Sequence, residues 1–235
     1  MGCLLKQGGG LFPRLRVAAV LLAAGEGKRM GGVAKSLITL QGVPLIKRQL
    51  IALSGAGVDE VVVVTGHERE AVEAQVQSFP VTLAHNPAYR DGQQASVRTG
   101  LQALSGPFDV VMVVLADQPL VGAADLTELL GAFKRRPHGH LLVPMVAAVG
   151  DESADHSQRG NPILFDDVAL AQILASDLQL GCRHLIEQAP AMVYLHPTQN
   201  QRFLVDLDTP ADLQQLALRT GWRLELPEHA ATTGF

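Results

Sequence analysis

The chain has 235 residues and a formal net charge of -4, with 47% of its residues hydrophobic and 18% charged. That length carries one large α/β domain with a core on both faces of a sheet, and the charge lacks the basic excess on which nucleic-acid binding draws. Its cysteines, Cys3 and Cys182, lie far apart and without metal-ligand spacing, which argues against a disulfide framework, a zinc site or an iron–sulfur cluster and fits a cytoplasmic protein.

Residues 1–15 include Gly8, Gly9 and Gly10 and too short an apolar run for a signal peptide. Glycines cost entropy to order, so this stretch reads as a loose extension. The domain is expected over 16–220, with a tail at 221–235, and no run reaches the apolar length of a membrane span. The aliphatic runs at 17–23, 61–65 and 110–116 are nearly continuous rather than alternating, as in strands of a parallel sheet covered on both faces.

Directly after the first run comes Leu22-Ala23-Ala24-Gly25-Glu26-Gly27-Lys28-Arg29-Met30-Gly31-Gly32, followed by Lys35. The small residues Ala23, Ala24, Gly25 and Gly27 let the backbone approach a ligand and turn its N–H groups onto phosphate. Arg29 and Lys35 stand ready to neutralise a triphosphate. The glycines read G-x-G-x-x-x-G rather than the dinucleotide fingerprint, and the Gly-Lys-Ser or Gly-Lys-Thr of a P-loop is absent. Taken alone, the segment also reads as a glycine-rich surface turn with solvated cations.

Pro44 stands where a first helical residue tolerates proline, and Ile46, Leu50 and Leu53 share a face before Gly55 and Gly57 end the helix. Ser96 reads as a cap for a helix at 97–104, and Asp117-Gln118-Pro119 as a turn after the third strand. Leu126, Leu129, Leu130 and Phe133 repeat the helical spacing, with Lys134, Arg135 and Arg136 suited to the negative end of the helix dipole. His138 and His140 lack further ligands at metal spacing and read as surface residues. The runs at 141–146 and 162–165 can pair as an antiparallel hairpin at the sheet edge. Between them, the polar residues 148–160 carry no period and read as a mobile loop.

Asp206 and Asp208 are two apart on an apparent strand and so share a face. Thr209-Pro210-Ala211-Asp212 then resembles a capped helix start that continues through Leu213 and Leu216. This order of elements predicts an α/β fold: a single Rossmann-like domain in three layers, mostly parallel, with an antiparallel edge hairpin. At the carboxyl end of a central strand, Asp117 would face the crevice where open α/β sheets bind ligands. With Asp206 or Asp208 it would supply the hard oxygens that magnesium takes alongside phosphate.

LAAGEGKRMGGVAKSL at 22–37 resembles the signature L-A-A-G-x-x-x-R-M-G-x-x-K-x-L of the molybdenum-cofactor nucleotidyltransferase family. VVVVTGHE at 61–68, NPAYRDGQQASVRTG at 86–100, LADQP at 115–119, RGNPILF at 159–165 and VDLDTPADL at 205–213 follow in the family's order. The resemblance implies a fold of the nucleotide-diphospho-sugar transferase type and a cytidylyltransferase reaction: CMP passes from CTP to the phosphate of molybdopterin and pyrophosphate leaves. Magnesium, or manganese in its place, is the implied cofactor. Carried onto this chain, the resemblance makes Arg29, Lys35 and Asp117 catalytic and places Asp117, Asp206 and Asp208 at the metal. It gives Leu22, Ala23, Ala24, Gly25, Gly27, Thr65, Gly66, Gly92 and Ser96 to the nucleotide, and Gly160, Asn161, Pro162 and Arg183 to the acceptor.

A phosphate monoester is largely ionised near neutral pH, so such a reaction needs alignment and charge neutralisation rather than a strong base. Ala24 stands where GMP-transferring relatives tend to carry glycine, which leans toward cytosine. Two departures fall on the acceptor side. Asn161 replaces a histidine common in the family, and Leu178-Gln179-Leu180-Gly181-Cys182-Arg183 lacks the first glycine of G-x-x-G-A-R and carries Cys182 for its alanine. Neighbouring readings are GMP transfer to the same pterin, CTP with another phosphorylated acceptor, and a non-enzymatic carrier. A molybdenum hydroxylase or its chaperone is the implied protein partner; nucleic acid and membrane are not expected.

Overall fold

The computed structural model describes residues 14–148, 157–175 and 186–227. In chain order these form β1 (Val17–Leu22), β2 (Thr39–Leu40), β3 (Val43–Pro44), α1 (Leu45–Gly55), β4 (Glu60–Thr65), α2 (Arg69–Val76), β5 (Thr82–His85) and α3 (Gln93–Gln102). They continue with β6 (Val110–Leu115), α4 (Ala123–Arg135), β7 (Leu141–Val146), β8 (Gln158–Arg159), β9 (Ile163–Phe165), α5 (Asp167–Ala175), β10 (Val193–Thr198), α6 (Pro210–Thr220) and β11 (Leu224–Glu225).

The main sheet runs β10-β7-β9-β6-β1-β4-β5, with β8 attached to β7. β1 lies parallel between β4 and β6, and β5 extends the parallel set beyond β4. The continuous aliphatics of β1 follow from helices covering both of its faces. Val17, Ala19 and Leu21 point to one side, where Ile46, Leu50 and Leu53 of α1, Val72 of α2, and Leu126, Leu129 and Phe133 of α4 close over them. Ala18, Val20 and Leu22 point to the other, against Val97 and Leu101 of α3 and Ile173 of α5. Leu21 and Val63 are wholly buried, and each such side chain contributes roughly 1.5–3 kcal/mol. Helix α3 packs tightly on the sheet at Gly100, where a Cβ would meet Val20 Cγ1 at 2.3 Å and Val64 Cγ2 at 2.7 Å.

The single α/β domain with a mostly parallel sheet agrees with the sequence expectation; several details differ. The antiparallel element is present, but β9 lies between β7 and β6, antiparallel to both, and β10 adds parallel to the outside of β7. The 141–146 and 162–165 pair is therefore internal rather than at the edge, as the near-complete burial of Leu141, Leu142, Leu164 and Phe165 requires. The helix expected from Pro44 begins at Leu45, with Pro44 as its cap and part of β3. No strand forms over 205–208.

A second, three-stranded sheet β11-β2-β3 draws Leu224 and Glu225 into the fold from the expected tail. Beneath it Met30, Ile38, Leu40, Leu45, Leu207 and Leu216 form a third core that partly covers Trp222 and Leu224. Arg14, expected in the loose extension, ion-pairs with Asp59 at 3.0 Å; residues 1–13 lie outside the described residues. So do 149–156 of the expected loop, whose end Gln158–Arg159 pairs with β7, and 178–183 with Arg183. Among the described residues no helix is long and apolar enough to cross a membrane.

Candidate active site

Three chain segments meet at the carboxyl end of the parallel strands. The first is the loop after β1, where two left-handed glycines, Gly27 and Gly31, bracket a 3-10 turn at Lys28–Met30. Gly27 is needed for shape: a Cβ there would lie 2.0 Å from the Val33 carbonyl oxygen, so the loop can double back only without a side chain. Met30 inserts into the third core and leaves Arg29 facing outward.

The second segment is the end of β6. Ala116 N–H donates to Leu22 O at 3.1 Å, which holds the two strand ends level, and Asp117 follows. Gln118, read as a turn residue from sequence, is buried; its amide donates to Phe203 O at 3.1 Å, while Gln49 donates to its carbonyl at 2.5 Å. The third segment reaches Asp117 through Leu207, whose N–H donates to Asp117 O at 3.1 Å. Leu207 buries its side chain in the third core, and its neighbours Asp206 and Asp208 both turn to the cleft. The expected shared face is therefore present, produced by an anchored extended segment rather than a strand. The following helix starts as read: Thr209 caps α6 reciprocally with Asp212, and Pro210 opens it.

Together these segments enclose a cleft of about 330 Å³ lined by Leu22, Ala23, Ala24, Gly25, Arg29, Lys35, Ser96, Asp117, Asp206 and Asp208. Lys35 Nζ donates to Asp117 Oδ2 and, at 2.7 Å, to Asp208 Oδ1. Arg29 donates to Asp208 Oδ2 at 2.5 Å. Burial works to lower Lys35, but the charge and hydrogen bond of Asp117, followed by those of Asp208, overcome it and hold the ammonium above its ordinary pKa. Burial works to raise Asp208, and Lys35 and Arg29 outweigh it, so this carboxyl sits below its usual range. Asp206 moves the other way. Partial desolvation raises it, the charges of Asp208 and Asp117 add to that, and Lys35 offsets only part. The cleft thus sets three carboxyl groups against two cations, and the two cations engage Asp117 and Asp208.

Not every expected residue lines this cleft. Ser96 does, but from inside α3 rather than at its cap, which is Gly92, and its buried hydroxyl accepts from Asn86 Nδ2 at 2.9 Å. Thr65 is fully buried and donates to Glu73 Oε1 at 3.1 Å, behind the cleft wall. Gly66 presses on Ala24: a Cβ there would meet Ala24 Cβ and O, each at 2.9 Å. Gly92, Gly160 and Asn161 line a second, larger cavity of about 630 Å³, with Gln94, Val97, Val143, Ile163 and Arg159 among its walls. Pro162 is buried beside it. His140, read as a plain surface residue, contacts Asp166 through Nδ1 at 3.0 Å, far along the chain from the cleft residues.

Tyr89, Gln93 and Ser36 also line the first cleft, with Leu115 and Ala116 at the end of β6; Gln93 falls in the 92–96 stretch that the resemblance gives to the nucleotide, whereas Tyr89 and Ser36 were not expected. Tyr89 and Gln93 lie inside the matched NPAYRDGQQASVRTG block, which was the available signal, and Gln93 is common to both cavities. Ser36 is 4% exposed, with a hydroxyl that finds no partner among the described residues. Three carboxylates and a hydroxyl are hard oxygen donors of the kind magnesium or manganese accepts. With Lys35 between Asp117 and Asp208, no three acidic, histidine or cysteine side chains among the described residues are gathered around one point.

Comparison with known proteins places this geometry. The bifunctional protein GlmU of Pelobacter propionicus is 39% identical over 120 residues, which is 51% of this chain and 26% of the relative. The matched stretch thus spans only about a quarter of that protein's length. Nicotine blue oxidoreductase of Paenarthrobacter nicotinovorans is 29% identical over 203 residues, covering 85% of this chain and 96% of that one. A nucleotidyl transferase from Methanothermobacter thermautotroptrophicus, Mth528, superposes with a TM-score of 0.68 at 26% identity, over 87% of this chain and 99% of the other. The family described as the MobA-like NTP transferase domain matches residues 19–193, which include the glycine loop, Lys35, Asp117 and the second cavity but stop short of Asp206 and Asp208. This chain belongs to the MobA-like NTP transferase domain family.

Proposed function

We propose that the chain transfers CMP from CTP to the terminal phosphate of a molybdopterin-type cofactor and releases pyrophosphate. The observation that carries this reading is the meeting of Arg29, Lys35 and Asp117 with the small-residue loop Ala23, Ala24, Gly25 in one cleft. An oxygen of the acceptor phosphate forms the new bond to the α-phosphorus, and the bond from that phosphorus to the bridging oxygen breaks as pyrophosphate departs. The acceptor oxygen is already anionic, so no residue has to remove a proton. Arg29 and Lys35 exchange their carboxylate partners for phosphate oxygens and neutralise the charge carried to the leaving group. Gly25 keeps a side chain out of the path of the triphosphate, and Gly27 lets the loop double back past Val33. Asp117 with Asp206 or Asp208 would hold magnesium, or manganese, against the phosphates and supply Lewis-acid charge there.

The second cavity suits the acceptor. Val97, Val143 and Ile163 offer an apolar wall for a flat ring, while Gln93, Gln94 and Asn161 offer amide donors and acceptors for its edge. Gln93 lines both cavities, which fits an acceptor held beside the nucleotide. The methyl of Ala24 narrows the base side of the first cleft, which favours a pyrimidine modestly. The purified chain incubated with magnesium, molybdopterin and each of CTP, GTP, ATP and UTP is the direct test. Pyrophosphate release and a CMP-pterin mass are expected with CTP, and GMP transfer exceeding CMP transfer overturns the base assignment. The similarity to nicotine blue oxidoreductase over nearly that protein's whole length favours one second reading, an oxidoreductase. Consumption of a reduced nicotinamide cofactor without pyrophosphate release, in the same screen, would establish it instead.

A further inference from the structure

The turn that leaves β4, Gly66-His67-Glu68, touches the glycine loop at both of its ends, and His67 makes both contacts. Its backbone N–H donates to Ala24 O at 3.2 Å, where the loop begins. Its ring Nε2 lies 2.8 Å from Gly32 O, where the loop ends. A carbonyl oxygen only accepts, so Nε2 carries the proton and the bond runs from the ring to the loop. Between these ties the loop folds on itself, with Gly27 O accepting from Met30 N–H at 2.7 Å and from Gly32 N–H at 3.1 Å. The tight packing of Gly66 on Ala24 brings His67 within reach. The His67 ring is 22% exposed and does not line the cleft; it lies 6.2 Å, centroid to centroid, from Tyr89, which does.

We propose that His67 is a positioning residue for the nucleotide phosphates. By tying Gly32 to the frame that also holds Ala24, it fixes the arc along which the loop N–H groups and Arg29 face the cleft. Backbone donors hold an anion well only if they are already aimed, because aiming them on binding costs ordering entropy. Loss of the Gly32 tie therefore weakens nucleotide capture more than it slows phosphoryl transfer. This inference rests on the nucleotidyltransferase reading.

The test uses the full chain carrying H67Q or H67M. The two side chains are similar in length and volume, but only glutamine can donate to Gly32 O. Binding of CTP with magnesium is measured by calorimetry, alongside melting temperature and steady-state kinetics. H67Q is expected to bind CTP within about twofold of the wild type and H67M about tenfold more weakly, the loss of one hydrogen bond. KM for CTP should rise in H67M while kcat stays nearly unchanged, with both melting temperatures near the wild-type value. Equal CTP affinity in the two variants overturns the proposal, as does a difference confined to melting temperature. A wild-type chain that binds none of the four nucleoside triphosphates removes the parent reading itself.

Discussion

The two cavities that share Gln93 differ in how their side chains are engaged. In the smaller one the charged side chains are committed to one another: Lys35 to Asp117 and Asp208, Arg29 to Asp208. Its shape follows from short segments pinned to the sheet by backbone hydrogen bonds from Ala116 and Leu207. The larger one joins aliphatic residues of α3, β6, β7 and β9 to Asp91, Arg159 and the amides of Gln93, Gln94 and Asn161. Phosphate chemistry needs fixed charge at fixed points, and the first cavity supplies it. On the proposed reading, recognition of an organic acceptor needs apolar surface with a few directional groups, and the second cavity offers both. Changes in the first should therefore strike turnover, and changes in the second should strike acceptor use alone.

Asp117→Ala carries the largest expected effect. Removing the partner of Lys35 at the centre of the charged cleft should lower CMP transfer by about a thousandfold. The melting temperature should stay close to that of the wild type, since the carboxylate is solvent-accessible and contributes little to the core. Pyrophosphate release at near wild-type rate by this variant would dissolve the distinction between the two cavities. Gln94→Trp sharpens the comparison from the other side by filling the second cavity from the half-buried start of α3. The acceptor KM should rise about tenfold with the CTP KM unchanged. A matching rise in the CTP KM would show that the cavities act as one. Ala24→Gly is the mildest: the preference for CTP over GTP should fall roughly threefold to tenfold, as one methyl permits. Competition kinetics with both nucleotides would read it, and an unchanged ratio would remove Ala24 from base selection.

Much of the fold was legible because its signals are local. Unbroken aliphatics at β1, β4 and β6 can only be strands covered twice, and Thr209-Pro210 with Asp212 caps a helix whatever surrounds it. The cleft was legible for the same reason on its loop side, where Gly27 and Arg29 sit within a few residues of each other. Thr65 meets Glu73 away from the cleft, while Ser96 lines the cleft with its hydroxyl held by Asn86, because a polar residue near a strand end or in a first helical turn carries no mark of which layer it faces. Asp206 and Asp208 both line the cleft, but not by the local route expected. Their common direction comes from Leu207 buried beneath them, not from the pleat of a strand.

The insertion of β9 between β6 and β7, and the capping of β7 by β10, could not be read from alternation. Strands buried on both faces show the same pattern at any interior position. The sequence alone determined the three central strands and the helices α1, α4 and α6, and that a glycine turn with Arg29 and Lys35 follows the first strand, because those features depend on neighbours within one or two turns of chain. Tertiary structure alone decided which carboxylates Lys35 meets, which cavity Gly92 serves and how His67 ties the loop, because each depends on residues brought together from distant parts of the chain by the sheet order.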